Sequence, residues 1–529
     1  MTTIPLTIPP TYWESLQITQ QDIEYIQNYL FETETPMTIS ELAAVFVDER
    51  LRVERDSLSK RQQANGKIYF PKENYKEGES LVFPALDWAK GKVLAVRPGV
   101  NPEVGEFEVI EVQMENDTIR LFAAGLQDHP LNNPPEEDPQ DDMLTAAFVL
   151  EASRDSLEKK LEASLQSDDS LVRIAGRWFP RALLVDVNVG HLNLAEAVLD
   201  LAGGEPLPAA SLLQDVELPE GVNPKLAEFS LNYALQEDGR FDEVGAAGQV
   251  LWCLQRLEPA EVRDVPQFLR YTPIEHDRSI LTPDMLALEA ELDDELSQAS
   301  VAPSDSNQVV VTLTYPHWRA GTLPVSARVS KFFPTAYESP RIRFTLVDGN
   351  TNQKMPAWVV REKRYVFGLR EWYKKNDILP GSLITIKHSK KPDEVVVTAH
   401  TRRPTREWVR TVLVGADGGL VFALLKQMIS TDFNDRMIVA VPDVDSVDQV
   451  WERISKSRQS FEKLVAMVMR ELTKLNPQGH VHAQELYSAL NILKRCPPAP
   501  LLALLASSPR FKHVGDLHFR LEDSAGEDG

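Results

Sequence analysis

The sequence predicts an α+β protein of several domains. Three observations carry this: the length, a periodicity that switches between helical and strand types, and an internal repeat. At roughly 150 residues per domain, the chain of 529 residues has room for about three or four domains. With 43% hydrophobic and 26% charged residues, its composition is that of a globular protein and excludes wholesale disorder. No apolar run reaches the roughly 18 residues of a membrane span, so no membrane partner is expected. The opening MTTIPLTIPPTYWESLQ has neither the basic n-region nor the apolar h-region of a secretory leader. The two cysteines, Cys253 and Cys496, cannot build a disulfide framework or a four-cysteine zinc site. A cytoplasmic protein is the expectation.

The elements follow in order. Gln20–Phe31 and Ser40–Leu51 have helical periodicity, with Ile23, Ile26 and Leu30 on one face and Leu42, Val45 and Phe46 on the other helix's face. Thr38-Ile-Ser-Glu41 has the form of a capping box, so a helix should begin there, and residues 1–65 read as a helix-turn-helix. Residues 66–131 turn to strand patterns at Ser80–Phe83, Lys92–Val96, Phe107–Val112 and Thr118–Phe122, parted by Arg97-Pro-Gly99 and Glu115-Asn-Asp117. This spacing predicts a small β-barrel, SH3-like in size. Asn132–Asp142, all turn formers, prolines and acids, reads as a linker, and Ala299–Asn307 as a second one.

The repeat lies further on. Residues 235–245 (LQEDGRFDEVG) and 505–515 (LASSPRFKHVG) share Leu, four residues, Arg-Phe, two residues, Val-Gly. Helical patterns precede each copy: Leu192–Leu201, Ala209–Gln214 and Leu226–Leu235 in one, Phe461–Leu475, Ala483–Leu493 and Pro500–Leu505 in the other. A strand-like end follows each, Gln249–Leu254 and Leu517–Leu521. Three helices and then a hairpin is the order of a winged helix. The expected domains are an acidic winged-helix region at 143–272 and a C-terminal winged helix at 461–522, with a basic β-barrel at 308–410 and a short α/β element at 411–460 between them. The fold class is thus α+β multidomain: tandem winged-helix units, a small SH3-like barrel and a larger basic barrel.

His482-Ala-Gln-Glu-Leu486, the third helix and the Arg510-Phe-Lys-His-Val-Gly wing resemble the winged-helix domains called HARE-HTH. That family includes the N-terminal domain of the delta subunit of bacterial RNA polymerase. The resemblance extends over about 60 residues in each of two copies. A degenerate third copy would use Met37–Arg52 as its helix-turn-helix and Leu171–Phe179 as its wing, after the inserted barrel.

Charge sorts these regions. Residues 1–300 hold 24 Lys+Arg against 55 Asp+Glu, residues 301–410 hold 19 against 9, and residues 411–529 hold 13 against 15. A basic block within an acidic chain is an electrostatic footprint. Residues 190–256, with 3 basic and 11 acidic residues, should avoid DNA and contact a protein partner. Residues 462–521, with 8 and 4, have the charge for DNA, because phosphate binding needs Lys and Arg to displace counterions. Yet the third helix there, PAPLLALLASSP, offers no Arg, Asn or Gln for base edges, which better fits a packing or dimerising winged helix.

Strand patterns dominate the basic block: Val309–Tyr315, Arg341–Val347, Trp358–Val360, Leu383–Lys387 and Glu394–Thr398, with a helix at Leu369–Asn376. Two runs, Pro356–Lys375 and Thr401–Arg410, interleave bases with aromatics. Such runs can neutralise phosphates and stack on bases; the same aromatics also suit a core. The order around Trp358, Gly368, Leu369, Trp372, Leu379 and Gly381 resembles the plant-type B-three DNA-binding pseudobarrel, also found in some restriction-enzyme recognition domains. The sequence departs from that pattern at Pro380 and at Ser382, where the family carries an acid. The candidate phosphate contacts are Arg361, Lys363, Arg364, Arg370, Lys374, Lys375, Arg402, Arg403 and Arg406. The acidic residues 1–300 would repel DNA, bind a basic partner, or fold over the basic block as an internal competitor.

Phosphate-loop, dinucleotide and nucleophile-elbow motifs are absent from the sequence, so no catalytic residue and no cofactor is expected. His480-x-His482 with Cys496 lacks a second ligand pair for zinc, and these histidines better cap a helix start. Pro392-Asp-Glu394 resembles half of a nuclease motif without its lysine and better suits a hairpin turn. Asp443, Asp445 and Asp448 lack the glycine and glutamate of a calcium loop and better cap a helix. The expectation is a non-enzymatic DNA-binding protein, regulatory or nucleoid-associated. Two alternatives are a scaffold associated with RNA polymerase and the recognition part of a nuclease system.

Overall fold

Glu41 accepts hydrogen bonds from the backbone N–H (2.7 Å) and hydroxyl (2.9 Å) of Thr38, so the capping box forms where the sequence places it. The structure, a computed structural model, describes residues 10–522, apart from 64–66, 87–88, 101–105, 115–117, 133–145, 217, 219–220, 299–305 and 392. Most of each expected linker and the turn at 115–117 lie outside the described residues. The chain divides into two compact units, Met1–Leu184 and Val185–Gly529. It is mixed α+β with several separate sheets.

In the first unit α1 (Pro10–Ser15) and α2 (Gln20–Thr33) precede β1 (Met37–Thr38) and α3 (Ile39–Gln63). Thr19 and Asp22 form a second box at the start of α2. Ile23, Ile26 and Leu30 are buried against Leu42, Ala43, Phe46 and Val47 of α3. A five-stranded sheet interrupts the helices, in the order β2 (Lys67–Ile68), β3 (Ser80–Phe83), β4 (Ala89–Pro98), β5 (Glu108–Met114), β6 (Ile119–Ala124). Its ends are joined outside the strands: Gly125 N donates to Glu73 O (3.0 Å) and Leu126 N to Pro71 O (2.8 Å). Tyr69, Tyr75, Phe83 and Phe122 fill its core, the two phenylalanine rings lying 4.2 Å apart. After α4 (Ala146–Gln166), β7 (Leu171–Ile174) and β8 (Arg177–Pro180) form a hairpin through Ala175 and Gly176. Both turn residues have positive φ, which matches the twist of a two-residue hairpin. β8 also pairs with β1, giving the order β1–β8–β7.

The second unit opens with α5 (Val189–Leu201), α6 (Ala209–Leu212), α7 (Pro224–Glu237), β9 (Phe241–Glu243) and β10 (Trp252–Leu254). Leu207 bridges to Trp252. Asn188 and Asn223 cap α5 and α7. Then come α8 (Ala260–Arg263) and α9 (Pro283–Leu292).

A curled seven-stranded sheet follows, built from β11 (Gln308–Thr312), β12 (Thr322–Pro324), β13 (Arg341–Asp348), β14 (Lys354–Val360), β15 (Tyr365–Phe367), β16 (Leu383–His388) and β17 (Glu394–Ala399). Its order is β11–β16–β17–β13–β14–β15–β12, antiparallel except at β13–β17. Two short helices belong to it: α10 (Tyr315–Ala320) between β11 and β12, and α11 (Arg370–Lys375) between β15 and β16. The expected strand Val309–Tyr315 therefore ends early. Pro316 lacks a ladder N–H but suits a first helical turn, and Gly321 ends that helix at φ 72°. Trp358, Trp372 and Tyr373 are core residues here.

A long ribbon of β18 (Thr401–Val414) and β19 (Leu420–Thr431) comes next, with β20 (Val439–Ala440) parallel to β18. β18 runs unbroken across the expected boundary at 410/411, so the basic run Thr401–Arg410 belongs to the ribbon. After α12 (Val444–Lys456), the chain ends in α13 (Phe461–Thr473), β21 (Val481–His482), α14 (Ala483–Leu490), α15 (Pro498–Ser507), β22 (Phe511–Gly515) and β23 (His518–Leu521). That last sheet has the order β21–β23–β22.

One connectivity thus occurs three times: helix, short extended segment, two helices, hairpin, with the segment paired to the hairpin's second strand. In the first unit the five-stranded sheet is inserted between the second and third helices.

Candidate nucleic-acid interface

The turn at Asp417–Gly419, held by a Gly419 N–H to Asp417 Oδ1 bond of 3.0 Å, sets the register of the ribbon. Arg406 lies opposite Met428, Trp408 opposite Lys426, and Arg410 opposite Leu424. Side chains alternate along a strand, so Arg406, Trp408, Lys426 and Met428 share one face. Trp408 is 64% and Met428 59% exposed, and the Lys426 ammonium sits 5.2 Å from the indole centroid. An indole that exposed, flanked by cations, is an uncommon use of a tryptophan in a folded chain. Arg403 and Arg406 are exposed, and neither side chain makes a hydrogen bond or ion pair with a described residue. Further along, Arg410 turns inward. It is 8% exposed and anchors the ribbon to α14 through Glu485 (3.0 Å) and to the turn before β20 through Asp435 O (2.9 Å).

The structure disperses the other candidate residues. Arg361 and Arg364, in the β14–β15 turn, donate to the carbonyls of Ser339 (2.7 Å) and Glu295 (3.0 Å). Lys363 beside them pairs with Glu362 (3.1 Å). Lys375 reaches Gln353 (2.7 Å) in the β13–β14 turn. Arg370 and Lys374, one turn apart on α11, border a cavity of about 600 Å³ where the curled sheet's helices meet the ribbon. Arg402 is bound to Glu407 (2.7 Å) and lies over Phe433. Lys426 was not among the candidates. Only strand pairing puts it beside Trp408, and the glycine turn was the signal from which that register could have been counted.

Much of the basic block's charge is met inside the second unit. Arg341 binds Glu258 and Asp242, Arg343 reaches Glu205 (3.4 Å), Arg328 reaches Asp293 (3.2 Å) and Arg370 reaches Glu261 (3.6 Å). The acidic residues that cover these bases thus lie between 205 and 293. Burial pushes the Glu258 carboxyl up to about 8 and that of Glu243 up to about 7. The adjoining Asp242 carboxylate adds to the rise at Glu258, while Arg341 opposes it. A deeper cluster ties three segments together. Arg495, 1% exposed, holds Asp294 and Glu295 at 2.7 Å each, and the Tyr487 hydroxyl donates to Asp294 (2.5 Å).

The C-terminal copy presents no reading helix. α15 packs against α9 and the turn Arg278–Ile280, and Leu501, Leu502, Ala503 and Leu505 are buried. Nearby, Lys512 and Arg520 pair with Glu522. The remaining candidates resolve locally. His482 accepts from Gln484 N (3.1 Å) at the start of α14, and burial pushes its pKa down to about 4, as suits a neutral acceptor. Asp443 caps α12 through Ser446 N (3.1 Å). Glu394 opens β17 and pairs with Lys354 (2.7 Å). Among the described residues no group of three or more His, Cys, Asp or Glu is placed to hold a metal, and no helix is long and apolar enough to cross a membrane.

No family model, no curated protein and no solved structure matches this chain. The geometry of the ribbon and its surroundings therefore carries the functional reading.

Proposed function

We propose that this chain is a non-enzymatic DNA-binding protein, regulatory or nucleoid-associated, that holds phosphates through the ribbon and the adjoining rim of the curled sheet. The observation that carries this is the open face of β18–β19, where exposed Trp408 lies opposite Lys426 and shares its face with Arg406; Arg403, exposed as well, belongs to the irregular start of β18. Guanidinium and ammonium groups displace counterions from phosphates, and an exposed indole can stack on a base. Five basic residues stand against two acidic ones in 401–431, so the local field is positive although the whole chain is acidic. The thrice-used connectivity supports the winged-helix, HARE-HTH-like reading. The seven-stranded sheet with its two short helices supports the B-three-like one.

The test is fluorescence anisotropy of the full chain on labelled DNA across a salt series. Binding should weaken with salt at a log–log slope of about 0.9 per phosphate neutralised. Arg403→Glu with Arg406→Glu should lower that slope by about two units. Absence of binding at low salt refutes the reading. A second reading, contact with a protein partner, is favoured by one observation on the acidic α5 region: Leu201 is 90% and Leu194 48% exposed amid carboxylates. Co-purification of a stable partner lost with Leu194→Asp would support it.

A further inference from the structure

The cavity beside the ribbon is not needed to bind a phosphate backbone, yet it opens onto the same surface. Its walls include Trp318, Ile378 and Leu379 on the curled-sheet side and Pro404, Met428 and Ser430 on the ribbon side. Met428 belongs to both features, because it lines the cavity and lies opposite Arg406 on the ladder. At about 600 Å³ the space is within the range of small-ligand sites, roughly 300–1,000 Å³, and exceeds what one planar base with its sugar occupies. The wall is mainly apolar, but it carries unused polar groups. The Ser430 hydroxyl and the Asp377 carboxylate make no hydrogen bond with another described residue. At the rim, the side chains of Arg370 and Lys374 are 45% and 67% exposed; Arg370 meets Glu261 at 3.6 Å and Ala320 O at 3.3 Å, and Lys374 pairs with the exposed Glu371 at 2.9 Å, surface contacts that a phosphate can replace. Arg319 is held by Asp448 (2.5 Å) and stays with the protein.

We propose that this cavity receives one unpaired nucleobase, with Arg370 and Lys374 at its phosphate and the neighbouring base stacked on Trp408, so that the chain prefers single-stranded DNA to duplex. This rests on the DNA-binding reading and names its substrate class. A duplex base has both faces stacked and its edge paired, and it reaches such a cavity only by leaving the helix. A single-stranded base needs only to unstack from its neighbours, and an aromatic platform compensates for that. Asp377 and Ser430 would meet the base's edge: a carboxylate accepts from an exocyclic amine or ring N–H, and a hydroxyl serves either role.

The experiment uses the full chain and a labelled mixed-sequence strand of about 20 nucleotides, enough for one site, alone and annealed to its complement. The unmodified chain should bind the single strand at least about tenfold more tightly than the duplex, a difference easily read by anisotropy. Ser430→Trp, which fills the cavity, should bring that ratio close to one. Leu201→Ala, remote from the site, should leave the ratio where it was. If Ser430→Trp lowers the thermal midpoint, Met428→Phe at the exposed mouth takes its place and should move the ratio the same way. A ratio near one in the unmodified chain, or a ratio unmoved by a folded cavity variant, overturns the proposal while leaving DNA binding standing. No binding to either form overturns the DNA-binding reading and this proposal together.

Discussion

The middle and C-terminal copies of the repeated connectivity share an order of elements but not a role. The middle copy has its own small core, with Leu192, Leu199, Leu212, Leu231, Leu235 and Trp252, and leaves Val189, Leu194 and Leu201 on its surface. The C-terminal copy has no separate core. Leu464, Leu486 and Leu501 join one continuous cluster with Met285 and Leu288 of α9, Phe422 of the ribbon and Trp451 of α12. Connectivity alone therefore does not tell which helix faces are free. What covers a helix does: α15 is sealed by α9, and Arg495 is locked by Asp294 and Glu295 in the same region.

The largest effect should come from that lock. Arg495→Ala leaves two carboxylates buried without their cation, which costs about 3–5 kcal/mol for a broken buried pair, read by urea denaturation of the second unit's transition. Next comes the contrast between the two copies. Leu502→Ala in α15, 1% exposed, should cost about 2–5 kcal/mol, whereas Leu201→Ala on α5, 90% exposed, should stay within about 0.5 kcal/mol. Equal losses at the two positions would break the distinction between a sealed copy and an open one. Trp408→Ala should weaken single-strand binding by about 1–3 kcal/mol with little change in stability, because its ring is already in water.

The remaining effect is a pH dependence. Glu258 and Glu243 titrate in the folded chain near 8 and near 7, above the usual carboxyl range of about 4.3. Such groups keep a proton when folded that they release when unfolded at neutral pH. Their contribution is fully present below the unfolded value and is lost as pH rises through about 7 to 8. The thermal midpoint of the second unit should therefore fall between pH 6 and pH 9, and Glu258→Gln should flatten that decline. A midpoint that climbs over this range would mean that these carboxylates are charged at neutral pH, with Arg341 outweighing their burial.

Local chemistry was legible in the sequence. The Thr38–Glu41 box, the cap at Asp443 and the hairpins after Arg240 and Arg510 all form where residue type and spacing put them. The hairpin at Leu171–Phe179 likewise follows an inserted sheet. Tyr315 misled, since a β-rich run was carried up to the residue before Pro316, where a helix already begins. The candidate site was only partly legible. Arg403 and Arg406 stand open, but Arg361 and Arg364 look identical in sequence and are bound to carbonyls contributed by residues 22 and 69 positions away.

Hydrophobic periodicity, caps and turns depend on residues within a few positions of one another, and these the amino-acid sequence determined by itself. Which bases keep their charge free, which helix is sealed, and whether Lys426 lies beside Trp408 depend on surfaces meeting across long stretches of chain. Burial and charge pairing are properties of those meetings, so only the tertiary structure could decide them.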